Sequence, residues 1–280
     1  MDNKILVLGA TGTVGAFLVQ ELVKRGEKVK AASRRGAPVS GAESVVFDFR
    51  SPETFEPALE NTNRVYVSSP TGELDAAGLL KPFLDAAIKK GVKIVVHTAI
   101  GVDSDDTIPL RRVELQIERS GVPYVILRPN WFTDNFGTYW LSAIRDNDIL
   151  ELPAADGKTS FITASDIALA AAAALTSDAF NGRALVLTGD EALSYGEAAT
   201  LLSKALGRTI RYVAGDEAAL IEYMKQNGVG EDYARLLSTI FYPVAQGWVA
   251  EVSPHFREVT GRGAMKVAEY IEQNASRWHR

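Results

Sequence analysis

The stretch Lys4-Ile5-Leu6-Val7-Leu8-Gly9-Ala10-Thr11-Gly12-Thr13-Val14-Gly15 decides how the whole chain is read. Lys4 to Leu8 is a short apolar run, partly β-branched, that reads as a buried strand. After it, Val14, Phe17, Leu18 and Leu22 recur at helical spacing until Gly26. Glycines stand between that strand and that helix. Glycine lets the backbone approach a pyrophosphate closely, and a helix start offers unpaired N–H groups with a partial positive charge. Gly9, Gly12 and Gly15 are therefore candidate dinucleotide-binding residues; the competing reading is a tight turn that packs the helix closely. A nucleoside-triphosphate loop does not fit, because Gly157-Lys158-Thr159 would need a glycine where Leu152 stands.

Working outward, strands are expected at 28–32, 45–47, 64–67, 93–97 and 124–127. Helices are expected over 52–60 with Ser51 as cap, over 74–90, and over 108–120 with Leu110, Val113 and Ile117 buried. A helix over 165–175 and a strand over 184–187 return to the same layer. Such alternation indicates right-handed crossovers and an α/β, doubly wound parallel sheet covered on both faces. Past Arg128 the chain turns aromatic, with Trp131, Phe132, Phe136, Tyr139 and Trp140 close together. The C-terminal third reads as mainly helical: Tyr233, Leu236, Leu237, Ile240, Phe241 and Val244 share helical spacing, and Pro243 kinks or ends that helix. The expected organisation is a nucleotide-binding domain over 1–130, with 163–189 returning to it, and a smaller, discontinuous, mainly helical substrate domain over 131–162 and 190–280.

Composition narrows the function. A chain of 280 residues with 46% hydrophobic and 23% charged content is globular. It has no cysteine, which excludes disulfides, cysteine-ligated zinc, iron–sulfur clusters and thiol nucleophiles, and suits a reducing, cytoplasmic setting. The longest apolar run, Ile167 to Leu175, falls far short of the roughly 20 residues a membrane span needs. The start of the chain shows neither a basic segment nor a cleavage site, so no leader is expected. A net charge of −5 without charge blocks gives no footprint for nucleic acid or a membrane surface, and points to a small-molecule partner. His97, His255 and His279 lack ligand spacing, so no metal is expected; His97, at a strand end, either faces a cofactor or packs internally. Asp103, Asp105 and Asp106 read as a solvated turn rather than a calcium loop.

The choice of dinucleotide is made about 20 residues beyond the last glycine, where a carboxylate would hold the ribose hydroxyls of NAD. Here stands Ser33-Arg34-Arg35. Two guanidiniums that can fork onto a 2′-phosphate favour NADP(H), with NAD(H) possible; the other reading of Arg34 and Arg35 is a solvated turn. Asp48 stands either at the adenine edge or as a turn cap. Trp131, Phe136, Tyr139 and Trp140 form either a stacking platform for a planar substrate or inter-domain core.

The chain resembles the NmrA-like, atypical branch of the short-chain dehydrogenase/reductase superfamily over nearly its whole length. The resemblance rests on the glycine loop, on Arg111-Arg112-Val113-Glu114 leading to Ser120-Gly121-Val122-Pro123-Tyr124, and on Leu127-Arg128-Pro129-Asn130-Trp131-Phe132 with Asn135-Phe136. Phe161-Ile162-Thr163-Ala164-Ser165-Asp166-Ile167-Ala168 and Leu187-Thr188-Gly189 are similar to later family segments. It implies a Rossmann domain that binds NADP(H), and a C-terminal domain closing over the nicotinamide. It also implies cofactor contacts from Thr11 to Val14, Arg34, Asp48 with Phe49, Ser68 with Ser69, Thr98, and the Pro129, Asn130, Trp131, Phe132 turn.

The departures bear on mechanism. No tyrosine has lysine four residues later, and Tyr124 with Arg128 lies on a strand, so the Tyr-x-x-x-Lys proton exchange of ordinary short-chain dehydrogenases is disfavoured. Where relatives often carry lysine this chain has Arg111, a permanent cation unable to donate a proton at neutral pH. As a catalytic candidate Arg111 would stabilise developing negative charge; otherwise it is a surface ion pair with Glu114. The expected function is an NADPH-dependent oxidoreductase moving hydride to a small planar or conjugated acceptor such as a quinone, imine or activated alkene. The alternative is a non-catalytic NADP(H)-binding redox sensor acting through a protein partner.

Overall fold

β1 (Lys4–Leu8) is buried from Ile5 onward and leads through the glycine loop into α1 (Thr13–Lys24) in a computed structural model that describes residues 3–280. Met1 and Asp2, which open the expected nucleotide-binding domain and the segment read as lacking a leader, lie outside the described residues. There follow β2 (Val29–Ser33), β3 (Glu43–Val46), α2 (Phe55–Leu59), β4 (Thr62–Ser68), α3 (Ala76–Lys89), β5 (Lys93–His97), α4 (Pro109–Glu118) and β6 (Tyr124–Pro129). The chain then forms α5 (Leu141–Asn147), β7 (Ile149–Leu152) and β8 (Lys158–Thr159) before α6 (Ala164–Thr176) and β9 (Arg183–Leu187) complete the main sheet. The remainder is β10 (Leu193–Ser194), α7 (Tyr195–Leu206), β11 (Arg211–Ala214), α8 (Glu217–Gln226), α9 (Glu231–Thr239), α10 (Phe241–Ala245), α11 (His255–Thr260) and α12 (Val267–Asn274).

Two units result: residues Met1–Pro129, Ala164–Leu187 and His255–Gly261 make the first, and Asn130–Thr163, Thr188–Pro254 and Arg262–Arg280 the second. The first unit holds a seven-stranded parallel sheet in the order β3-β2-β1-β4-β5-β6-β9. From β1 the chain runs one way to β3 and then starts the other way at β4, so strand order reverses between β1 and β4. In such sheets the crevice at the carboxyl ends of the reversing strands is where ligands bind. The strands are apolar almost throughout because both faces are covered, and Leu6, Leu8, Val65, Val67, Ile94 and Val96 share one core with Phe83 and Ile117. Segment 255–261 is a return to this unit that the sequence reading lacks. There His255 Nδ1 accepts the N–H of Val186 at 3.0 Å, and Glu258 takes Arg183 at 2.6 Å, so α11 lies on the edge strand β9. The second unit has two small pairings, β8 with β10 and β7 with β11. Its core is aromatic around Phe136, Phe161, Tyr195 and Phe241, and Trp278 Nε1 donates to the Phe136 carbonyl at 2.8 Å.

Three local expectations are corrected. Phe17 is 42% exposed, because α1 buries Gly15 and Val19 in addition to Val14, Leu18 and Leu22, which rotates its buried stripe away from Phe17. Ser51 makes no side-chain cap; a 3₁₀ turn over Pro52–Thr54 precedes α2, and the Thr54 hydroxyl donates to the Ser51 carbonyl at 2.7 Å. Leu110 is only half-buried, while Glu114 is fully buried beside Val113 and Ile117. The stretch 233–244 is two helices that break at Ile240, in keeping with the kink or stop expected at Pro243, which has no N–H for the Thr239 carbonyl and sits in the first turn of α10; Leu236 and Ile240 are exposed. Among the described residues no helix is long and apolar enough to cross a membrane.

Candidate functional site

The glycine loop sits where the strand order reverses. Gly9 has φ of +66°, a left-handed conformation that favours glycine, and its carbonyl accepts the Gly12 N–H at 2.8 Å. Ala10 N–H is tied to the Ala32 carbonyl at 3.0 Å, which fixes the loop to β2. A Cβ on Gly15 would lie 2.1 Å from the Gly9 carbonyl oxygen, so Gly15 is the close-packing residue that seats α1 against the loop. Gly9, Thr11, Gly12 and Thr13 are exposed, whereas Val14 and Gly15 are buried. No side chain caps α1, and no acidic residue stands in its first turn. The outward face of the loop therefore offers backbone amides and helix-dipole charge to an anion.

Arg34 and Arg35 follow β2, one strand away on the same sheet edge, and both are exposed. Ser33 shapes their turn: its Oγ accepts the Ala37 N–H at 3.0 Å and its carbonyl accepts the Gly36 N–H at 3.2 Å. Neither arginine makes an ion pair among the described residues. Asp48 Oδ1 accepts the Arg50 N–H at 2.9 Å, the turn-capping geometry, and Phe49 is half-buried edge-on to Phe47 at 4.9 Å. On the other side of the loop, Ser68 ends β4 and Ser69 follows it, both half-buried, and Ser68 Oγ lies 3.7 Å from where a Gly9 Cβ would be.

Beyond β4 a buried charge network closes the tips of β5 and β6. Glu114 on α4 is 0% exposed, and both of its oxygens are used twice. Oε1 accepts the Thr98 hydroxyl at 2.7 Å and Arg128 Nε at 3.0 Å; Oε2 accepts Arg128 Nη2 at 2.7 Å and Arg111 Nη1 at 2.9 Å. Burial alone would raise the Glu114 pKa, but the bonds from Arg128, Thr98 and Arg111 outweigh it and hold the carboxyl below its usual value. Arg111 also donates to Glu118 at 2.8 Å and to Asp106 at 3.2 Å, and these carboxylates, Glu118 first, raise its pKa further. Its pair with Glu114 is thus no surface pair: the partner is buried because β5 and β6 supply its other donors. Asp103 pairs with Arg128, and Asp105 Oδ1 accepts the Thr107 N–H at 2.8 Å, so each acid of the 103–106 turn has a structural task. Among the described residues no group of three or more possible metal ligands assembles.

His97, half-buried at the end of β5, has Nδ1 2.7 Å from Tyr66 Oη on β4. Burial pushes the His97 pKa down to about 4 and the Tyr66 pKa up, so both are neutral near pH 7. The unfolded imidazole, with its ordinary pKa of 6.5, binds a proton that the folded one refuses between pH 6.5 and about 4. Stability contributed by His97 is therefore present above pH 6.5 and lost as the pH falls toward 4, by at most about 3 kcal/mol. Denaturant titrations across this range on the wild type and on Tyr66→Phe/His97→Gln should show the acid loss shrinking in the double variant. An undiminished loss would remove His97 from the account.

The remaining candidates lie in the second unit except for Pro129, which is buried at the end of β6. The Asn130 side chain is fully engaged: Nδ2 donates to Ser160 Oγ and to the Val249 carbonyl, both at 2.8 Å, and Oδ1 accepts the Trp131 N–H at 2.9 Å. Trp131 and Phe132 are half-buried, Trp131 packing 4.5 Å from Phe241 and Phe132 bridging to Ile162. Phe136 and Trp140 are buried at 1% and 3% exposure as core, while Tyr139 is half-buried and borders a cavity of about 310 Å³ with Tyr223, Met224 and Val229. The aromatic run is therefore divided between core and partly open faces.

A model of the NmrA-like family matches residues 1–246. The chain belongs to the NmrA-like family. Among its relatives, an uncharacterized oxidoreductase, YesF, of Bacillus subtilis is 33% identical, the match covering 99% of this chain and 97% of that protein. An NAD(P)H azoreductase of Xenophilus azovorans is 32% identical over 97% of this chain and 98% of its own. Of solved structures, an NADPH-dependent quinone oxidoreductase from Escherichia coli complexed with NADPH superposes with a TM-score of 0.85 at 22% identity, covering 96% of this chain and 99% of that one. That likeness concerns the fold.

Sequence reasoning missed two features of this NmrA-like chain, the Glu114–Arg128 network and the Tyr66–His97 contact. For the first a signal existed: Arg128 lies in the strand segment 124–129, which is otherwise apolar apart from its ends, so a buried guanidinium there requires a carboxylate partner. Nothing in the spacing of Tyr66 and His97 gives their contact, because it depends on the register of β4 against β5.

Proposed function

We propose that this chain is an NADPH-dependent oxidoreductase that transfers hydride to a small planar or conjugated acceptor: a quinone, an imine or an activated alkene. One observation carries the reading. The glycine loop lies at the reversal of strand order with two exposed arginines at the neighbouring strand end that make no ion pair among the described residues. The name of the azoreductase relative supports the reaction class, since an azo group is a planar, conjugated acceptor. The residues fit the cofactor: the missing Cβ of the exposed Gly12 and the uncapped start of α1 leave room and donors for a pyrophosphate, while Gly15 lets α1 seat against the loop.

In this reading Gly9 and Thr11 to Gly15 hold the pyrophosphate by backbone groups and packing, and Arg34 and Arg35 take the 2′-phosphate. Asp48 and Phe49 border the adenine; Ser68, Ser69, Thr98 and Pro129 serve the rest of the dinucleotide. NADH, without the 2′-phosphate, is the weaker donor. When bound, the nicotinamide supplies the hydride, and the protein orients it and excludes water. The acceptor is assigned to the second unit, with Trp131 and Tyr139 as stacking faces, Phe136 and Trp140 as the core behind them, and Asn130 and Phe132 as the frame of their turn. Arg111 is left out of the chemistry, because three carboxylates compensate its charge. The proton that completes reduction comes from water.

The test is purified protein with NADPH and a panel of quinones, azo dyes, cyclic imines and activated alkenes, followed at the nicotinamide absorbance. Steady consumption with at least one class is expected. Tight NADPH binding without turnover on any of them would instead favour a sensor that acts through a protein partner.

A further inference from the structure

The Glu114 network occupies a defined place in the first unit. Arg34 and Arg35, at the end of β2, lie on one side of the glycine loop; Ser68, Thr98 and Pro129, at the ends of β4, β5 and β6, lie on the other. A dinucleotide whose pyrophosphate rests on the loop, with its 2′-phosphate toward β2, extends its nicotinamide half toward β4 to β6. The backbone there continues past the strands. Thr98 N–H donates to the Leu127 carbonyl at 2.9 Å and Ile100 N–H to the Pro129 carbonyl at 3.0 Å. One carboxylate then ties these tips to α4, holding Thr98 through its hydroxyl and Arg128 through a two-pronged fork. Asp103, in the short 3₁₀ turn after β5, binds the far end of the same guanidinium.

We propose that Glu114 is a positioning residue for the nicotinamide half of the site, fixing the β5 and β6 tips through Thr98 and Arg128, with Arg111 as its outer brace. This rests on the reading of the chain as an NADP(H)-binding protein. Glu114 has about four lone-pair positions and all four are filled, so no capacity remains for a ligand. It acts through its neighbours. The fork also explains why Arg128 is buried in a strand, since a guanidinium there is stable only against a fully bonded carboxylate. Arg111 sets the orientation of Oε2 from the solvent side, where Glu118 and Asp106 hold its own guanidinium in place.

Glu114→Gln keeps the shape but removes the charge and turns an N–H toward the arginine donors, releasing the fork. Calorimetric titration separates positioning from general damage when two ligands are compared. NADPH spans the whole site, whereas 2′,5′-ADP reaches only the adenosine side. In Glu114→Gln the affinity for NADPH should fall roughly ten- to a hundredfold, the effect of misplacing a contact by about an ångström, and that for 2′,5′-ADP should stay within about twofold. Arg128→Lys, which keeps the charge and loses the fork, should show the same split to a smaller degree and covers the case in which Glu114→Gln folds poorly. Equal weakening of both ligands in either variant would overturn the proposal and leave Glu114 as a general stabiliser. A wild-type protein that binds neither ligand would instead overturn the functional reading, and this proposal with it.

Discussion

Replacing Arg34 and Arg35 together by alanine is expected to weaken NADPH binding by roughly ten- to a hundredfold and to leave NADH within about twofold. The estimate takes two charge-assisted bonds at the low end of about 1.5–3 kcal/mol each, reduced for exposure, and about 1.4 kcal/mol per factor of ten. Both side chains are exposed and make no ion pair among the described residues, so their removal breaks no internal contact there and stability should not change. The expected signature is thus a change in cofactor discrimination at constant melting temperature. Calorimetry with both cofactors reads it; equal losses for NADPH and NADH would return the pair to a solvated turn.

Gly15→Ala carries the second large effect. The added Cβ would meet the Gly9 carbonyl oxygen at 2.1 Å, its carbon at 2.8 Å and Ala10 Cα at 3.1 Å, all backbone, so the loop itself has to move. Overpacking of this kind costs about 1–3 kcal/mol. If the loop relaxes away from its binding shape, NADPH must restore that shape, which weakens binding by roughly five- to a hundredfold at about 1.4 kcal/mol per factor of ten. Gly12→Ala is the contrasting variant. Gly12 is exposed with φ of −83°, and its Cβ would come no closer than 3.2 Å to the Gly9 oxygen. It should therefore lose cofactor affinity, by crowding the phosphate, with little change in melting temperature. Wild-type stability and affinity in Gly15→Ala would contradict the packing role of that residue.

The parallel sheet was legible because each strand–helix repeat carries its own period and its own stop, such as Gly26 after α1 and Gly91 after α3, both with positive φ. The glycine loop was legible for the same local reason. Glu114 was not. Helical periodicity treats a glutamate as outward-facing, and here its direction is set by Thr98, just past β5, and by Arg128 in β6. The aromatic run from Trp131 to Trp140 was legible as unusual but not as to role, since spacing does not tell a core ring such as Phe136 from a half-open one such as Tyr139. The break near Pro243 was legible, but not which residues it turns outward. An apolar stripe continues through it, although Leu236 and Ile240 face solvent and Phe241 turns into the aromatic core.

The most direct measurement of the central claim, hydride transfer by this chain, uses NADPH deuterated at either of the two transferable positions of the nicotinamide ring, with a cyclic imine or an activated alkene that the wild type reduces. One of the two labelled cofactors should react more slowly than unlabelled NADPH and place its deuterium on carbon in the reduced acceptor, while the other transfers only hydrogen. Consumption of NADPH with no deuterium in the product from either label would contradict the account.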